Sequence, residues 1–230
     1  MIIWIRIGTP ESYNKDGRDF WLKRRLEDVS GQPCLMLHQE QMTPDIVKPL
    51  NPRAILLSGC GTFFQHFKPD AFYDFEDTMN AMADVPTMGL CASHQLMGFM
   101  FNNGFRNLTQ LEDEMMRPLL PGEPDVLDPN PDALGYFCEE GFHPVTVMQP
   151  DPLFDELPDP VVVRQSHYAE MKTVPPDFDL IASNENCRIQ AIRHRERPLY
   201  GTQFHPEYYV DVYPHGRKIL ENFFRFAGVL

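Results

Sequence analysis

The run IIWIRI, residues 2–7, is apolar at every position but Arg6 and offers no polar face to water. A strand with one wet face alternates apolar and polar residues. An unbroken apolar strand needs cover on both faces, and sheets covered on both faces are built from parallel strands joined by crossover helices. The same signal recurs in CLML (34–37), AILLS (54–58) and VPTMGL (85–90). Between these runs Leu22, Leu26 and Val29 recur at helical spacing. A second helix fits Ala71 to Ala83, and a third starts after Cys91 and carries Leu96, Met97 and Met100. Alternating strands and helices predict an α/β fold with a mostly parallel sheet flanked by helices on both faces.

The second half changes character. PVTVM, VVVRQ, FDLIAS, RIQAIRH and LYGTQF follow in quick succession, which predicts additional antiparallel strands. A closing helix carries Leu220, Phe223, Phe224 and Ala227 on one stripe, with Gly228 as its stop. Residues 109–135 are rich in acid and proline without a steady period, and read as an inserted excursion with one helical turn. Residues 1–230 are thus expected to form a single domain, a length sufficient for one sizeable core.

The net charge of −13 argues against binding to nucleic acid or to an anionic membrane surface, both of which call for basic patches. There is no signal-peptide pattern and no apolar run long enough to span a bilayer. Five scattered cysteines do not resemble a disulfide framework, so a reducing cytoplasm is the expected compartment. No P-loop pattern for a nucleotide triphosphate occurs.

The chemistry concentrates where strands end. In MGLCASHQ, Cys91 stands between the fourth apolar run and the third helix, with small residues at Gly89 and Ser93. A nucleophile on a sharp strand-to-helix turn needs small neighbours at those two places. The helix N-terminus favours its thiolate, and the first helical amide, that of Ala92, is available to an oxyanion. Taken alone, the pattern equally fits a buried small hydrophobe. In YGTQFHPEYY a strand delivers His205 at its end, with Glu207 two residues along as an orienting carboxylate. That segment, taken alone, equally fits a solvated turn. The strand AILLS runs into Gly59-Cys60-Gly61, whose amides suit a developing negative charge. Cys91 and His94 have a C-x-x-H spacing, but further ligands at zinc spacing are missing and no metal is expected. His94 is expected to pack or gate beside the pocket.

Together GLCASHQ, QFHPE (203–207), the SGC strand end and RQSHYAEM (164–171) resemble the class I glutamine amidotransferases. The pattern is similar to the glutaminase domain of GMP synthase and to related γ-glutamyl hydrolases. The resemblance implies a flavodoxin-like sheet, Cys91 as nucleophile, His205 as general base then acid, and Glu207 as its orienter. It implies an oxyanion hole from the backbone of Gly59, Cys60, Gly61 and Ala92. Gln95, Ser166 and His167 would line the site for the substrate's α-amino and α-carboxylate groups. No cofactor is implied.

Two positions depart from the family pattern. Ser93 stands for a glycine of the elbow, and Cys60 for a glycine of the oxyanion strand, a change that is fatal only if the turn requires φ > 0 there. Three readings follow. The first is a glutaminase passing ammonia to a separate synthetase chain. The second is a stand-alone γ-glutamyl amide or peptide hydrolase. The third is a non-catalytic binding protein on the same scaffold.

Overall fold

The computed structural model describes residues 1–15, 18–126 and 132–230. Strand β1 (Ile2–Arg6) is followed by helices α1 (Pro10–Lys15) and α2 (Arg18–Ser30), then β2 (Cys34–His38), α3 (Pro44–Val47) and β3 (Ala54–Leu57). Next come α4 (Tyr73–Ala81), β4 (Thr87–Leu90) and α5 (Ala92–Asn102). The second half supplies β5 (Glu139–Val147), β6 (Val161–His167), β7 (Phe178–Ser183), β8 (Ala191–His194), β9 (Leu199–Thr202) and α6 (His215–Phe226).

Among the described residues these strands form a 9-stranded sheet of order β2-β1-β3-β4-β9-β8-β7-β5-β6. The pairs from β2 through β9 are parallel, and those from β9 to β6 antiparallel. As the β1 run demands, both faces are covered. Ile2 and Trp4 pack with Leu22, Leu26, Phe223 and Phe224 of α2 and α6. Ile3 and Ile5 pack on the other face with Phe75 of α4 and Leu96, Met97 and Met100 of α5. Parallel strands put their carboxyl ends on one edge, so the residues after β1, β3, β4 and β9 converge there.

Local signals decide several boundaries. The stop of α6 is a Schellman turn: Gly228 takes φ +62°, its amide bonds Arg225 O and the Val229 amide bonds Phe224 O. The helix expected from Ala71 begins at Tyr73, because Pro69–Phe72 forms a 3₁₀ turn first. Strand β5 starts five residues earlier than the apolar run suggests; its polar beginning, Glu139–Phe142, pairs with β6. Strand β8 starts at Ala191, not Arg188, since a bulge shifts the β7–β8 register there.

The excursion differs from expectation. Its described residues contain no helical turn, and residues 127–131 lie outside the described set. Instead Met115 bridges Ala169, the Met116 amide bonds Tyr168 O and the Glu170 amide bonds Glu114 O. Leu111 and Met116 are buried beneath it. An extended strand can satisfy its amides against the 168–170 segment, which a single isolated turn with so many prolines cannot. No helix among the described residues is long and apolar enough to cross a membrane.

Phe223 is fully buried and meets the Tyr200 ring edge to face. Phe223→Ala is therefore expected to cost about 3–5 kcal/mol of stability. In a chain of this size that corresponds to a fall in melting temperature of roughly 6–20 °C, checked by calorimetry.

Candidate active site

The elbow begins with β4 ending at Leu90 and α5 beginning at Ala92, which leaves one residue to turn the chain. That residue, Cys91, takes φ 50° and ψ −107°, a conformation that side chains rarely adopt. Its amide is held by Thr202 O at 2.7 Å. A Cβ at Gly89 would lie 3.2 Å from the Ser93 carbonyl and 2.6 Å from Met97 Cε, so a larger residue there would crowd the first turn of α5. Ser93 is fully buried, and its hydroxyl donates to Ser58 O at 2.6 Å. The added oxygen is thus absorbed in a hydrogen bond to the β3 end.

His205 follows β9, its amide bonding Arg164 O at 2.8 Å. Its Nδ1 meets Glu207 Oε1 at 2.7 Å, and its Nε2 and the Cys91 Cβ both lie within 4 Å of the place a Gly59 Cβ would take. Both His205 and Glu207 are buried. Burial alone would push the imidazole down, yet the Glu207 carboxylate and the Cys91 sulfur hold it well above its ordinary value. Arg25 donates to the backbone oxygens of Glu207 and Tyr209 and pins this turn. Gln203 Nε2 reaches the Cys91 sulfur at 3.6 Å.

The turn after β3 lies directly against this pair. A Cβ on Gly59 would sit 2.9 Å from His205 Cε1 and 3.4 Å from Cys91 Cβ, so only glycine fits between nucleophile and imidazole. The Gly59 carbonyl accepts from Ser58 Oγ at 2.7 Å and from Arg6 Nη1 at 3.1 Å. Cys60 is absent from the positive-φ residues, so its β-carbon costs the backbone nothing. Burial raises the Cys60 thiol. Its sulfur accepts from the Thr62 amide.

Two spaces meet at Cys91. A cleft of about 370 Å³ runs past Gly59, Cys60, Gly61, Arg164, His205 and Glu207. A pocket of about 20 Å³ lies toward Ala92, Gln95, Asp113, Ser166 and His167. Tyr168 borders both spaces, and its ring stacks on Phe63 at 4.4 Å. The Gln95 amide donates to Ala169 O at 2.9 Å and to Gln203 Oε1 at 3.2 Å. Ser166 borders both spaces from the end of β6.

His167 borders the small pocket, but its ring is bonded at both nitrogens. Nε2 meets Glu139 Oε2 and Gln165 Oε1, each at 3.1 Å, and Nδ1 meets Ala169 O at 3.2 Å. Glu139 also accepts from Asn184, Asn186 and Gln190. Burial opposes its charge, but His167 and the side-chain amides of Asn186 and Asn184 hold its pKa below the usual carboxylate range. His94 does not gate the pocket. It is fully buried with Nε2 at Ile189 O, and burial lowers it to about 3, so it packs as a neutral ring between α5 and the sheet. Its ring is directed to that carbonyl.

Sequence reasoning missed Arg6, Asp113, Arg164 and Tyr168, all of which border the site. Arg6 had a signal, since it ends a parallel strand at the functional edge. Asp113 had none: its approach depends on how the excursion lies against 168–170. Burial raises the Asp113 carboxyl to about 6.

The glutamine amidotransferase class-I family model matches residues 14–227. The chain is 29% identical over 184 residues to the glutamine-hydrolyzing GMP synthase subunit of Pyrococcus abyssi, covering 80% of each chain. It is 35% identical over 147 residues to the subunit of the same name from Methanopyrus kandleri, covering 64% of each. A solved GMP synthase subunit from Thermoplasma acidophilum shares the fold at a TM-score of 0.71 and 22% identity, over 99% of this chain and 95% of that one. The glutaminase domain of Trypanosoma brucei CTPS with bound acivicin does so at 0.64 and 14% identity, over 99% and 94%. With nearly its whole length inside the family model, the chain belongs to the class-I glutamine amidotransferases.

Proposed function

We propose that the protein hydrolyses the side-chain amide of glutamine at Cys91 and passes the ammonia to a separate synthetase chain. The observation that carries this reading is His205, fixed at 2.7 Å by Glu207 and packed with Cys91 against Gly59. The Cys91 thiolate attacks the amide carbon, and backbone amides of Ala92 and of the Gly59–Gly61 turn receive the oxyanion. The protonated His205 gives its proton to the departing nitrogen, which leaves as ammonia. A γ-glutamyl thioester remains on Cys91. His205, now neutral, takes a proton from water, which attacks the thioester and releases glutamate and the thiolate.

Gln95, Ser166 and His167 border the pocket for the substrate's α-amino and α-carboxylate groups, with the His167 ring serving as a buried brace. The relatives named as glutamine-hydrolyzing GMP synthase subunits support a GMP-forming synthetase as the partner. A second reading, hydrolysis of γ-glutamyl amides with larger amines, is favoured by the cleft on the His205 side, whose volume of about 370 Å³ far exceeds what ammonia fills. The assembled Cys-His-Glu geometry speaks against a purely binding role.

Incubation of the purified protein with glutamine and with a panel of γ-glutamyl amides, followed by glutamate release, separates the readings. Cys91→Ala is expected to lower turnover by at least about 10⁴-fold. A variant that keeps its rate removes Cys91 from the chemistry. Because Glu207 helps to raise His205, Glu207→Gln is expected to move the alkaline limb of the kcat/KM profile to lower pH, where the imidazole now loses the proton that the leaving amine needs. An unmoved limb would assign the proton donor elsewhere.

A further inference from the structure

The Gly59 carbonyl is held in a chain of contacts that the proposed triad chemistry does not itself require. Arg6 Nη1 and Ser58 Oγ both donate to it. Ser58 Oγ in turn accepts from the Ile7 amide at 2.9 Å, and Ser58 O accepts from the buried Ser93 hydroxyl at 2.6 Å. Arg6 is fixed at its other end by Asp19, Nε to Oδ1 at 2.8 Å and Oδ2 at 3.0 Å, and its Nη1 also reaches Ile7 O. Residues from β1, from the β3 end and from α5 thus converge on two successive peptide units, Ser58–Gly59 and Gly59–Cys60.

In a trans peptide the C=O and the following N–H point in opposite directions. Holding the Gly59 oxygen toward Arg6 therefore turns the Cys60 amide away from Arg6, beside Gly59, whose α-carbon lies against Cys91 and His205. Reversing this peptide would place a carbonyl where an oxyanion has to form, and would strip two donors from the Gly59 oxygen. The two departures from the family pattern fit one arrangement: Cys60 contributes an amide from ordinary backbone geometry, and Ser93 supplies a tie that glycine lacks.

We propose that Arg6 and Ser93 are positioning residues which hold the Gly59–Cys60 peptide with its amide toward Cys91 in the isolated chain, so that turnover needs no partner to set the oxyanion hole. This rests on the glutaminase reading above, and names how that site is regulated: it is set by the chain's own side chains. Ser93 is buried outside the cleft, and Arg6 borders it with Nε and Nη1 already engaged by Asp19, Ile7 and Gly59. Their effect is on the carbonyl reaction and not on the sulfur.

The test uses the full-length purified protein alone and reads two reactions of one thiol. Glutamine hydrolysis builds an oxyanion, whereas alkylation of Cys91 by iodoacetamide builds none. Background from the other cysteines is subtracted with Cys91→Ala. Wild type is expected to hydrolyse glutamine unaided. Arg6→Met and Ser93→Ala are expected to lower kcat by about 100-fold, the loss typical of one oxyanion donor. KM and the Cys91 alkylation rate are expected to stay within about threefold, because thiolate reactivity follows its own pKa and access. Arg6→Lys, which keeps a donor for the Gly59 oxygen, is expected to recover part of kcat.

A parallel fall in hydrolysis and alkylation would overturn the proposal, since the residues would then act on the thiolate or on folding. An unchanged kcat in both variants would also overturn it. Wild type that hydrolyses glutamine only after the synthetase component of GMP synthase is added overturns the preset hole but leaves the glutaminase reading standing. Wild type that alkylates at Cys91 yet hydrolyses no glutamine in either setting overturns both.

Discussion

Cys91 sits at φ 50° and ψ −107°, a strained position that costs on the order of 1–3 kcal/mol. The surroundings leave it no other choice. Its amide is bonded to β9 at Thr202, Gly89 passes beneath Ser93 where a side chain would crowd it, and α5 starts at the next residue. The same constraint aims the sulfur out of the sheet at the edge where the parallel strands end. His205 and the Gly59 turn meet Cys91 because β9 and β3 end on that edge too. Relaxing the elbow would release the sulfur, the first amides of α5 and the tie from Ser93 together.

Behind this point one cluster of polar groups is buried with its bonds made. Glu139, His167, Gln165, Gln190 and the asparagines after β7 form one enclosed network beneath the β6 end. Buried polar clusters are costly when incomplete and rigid when complete. This one stiffens the backbone of Ser166 and Tyr168 from behind, so the wall of the site is braced by residues that, His167 apart, do not border it. His94 shows the opposite solution: a neutral imidazole, with Nδ1 unbonded, treated as part of the α5–sheet core.

Much of this was legible in the sequence because it is local. The unbroken apolar run IIWIRI foretold a sheet covered on both faces, and GLCASHQ and QFHPE marked the elbow and the histidine turn. What was not legible depends on contacts between distant residues. The Arg6 bond to Gly59 spans 53 positions, and the Glu139 to His167 bond spans 28. Nothing periodic announces such pairs. The polar start of β5 hid a strand, because Glu139 points into a network rather than a hydrophobic core. The excursion misled for a related reason: its extended form is imposed by amides of the 168–170 segment, and its own composition does not encode that form.

The stack of Tyr168 on Phe63 has a steric meaning. With the small pocket at about 20 Å³, there is room beside Gln95 for a single water and not for an amino-acid head group. The larger room at Cys91 is the cleft of about 370 Å³ beside His205, and Tyr168 borders both. A compound matched to the shape of the empty protein would therefore occupy the cleft and leave the pocket toward Gln95 unfilled.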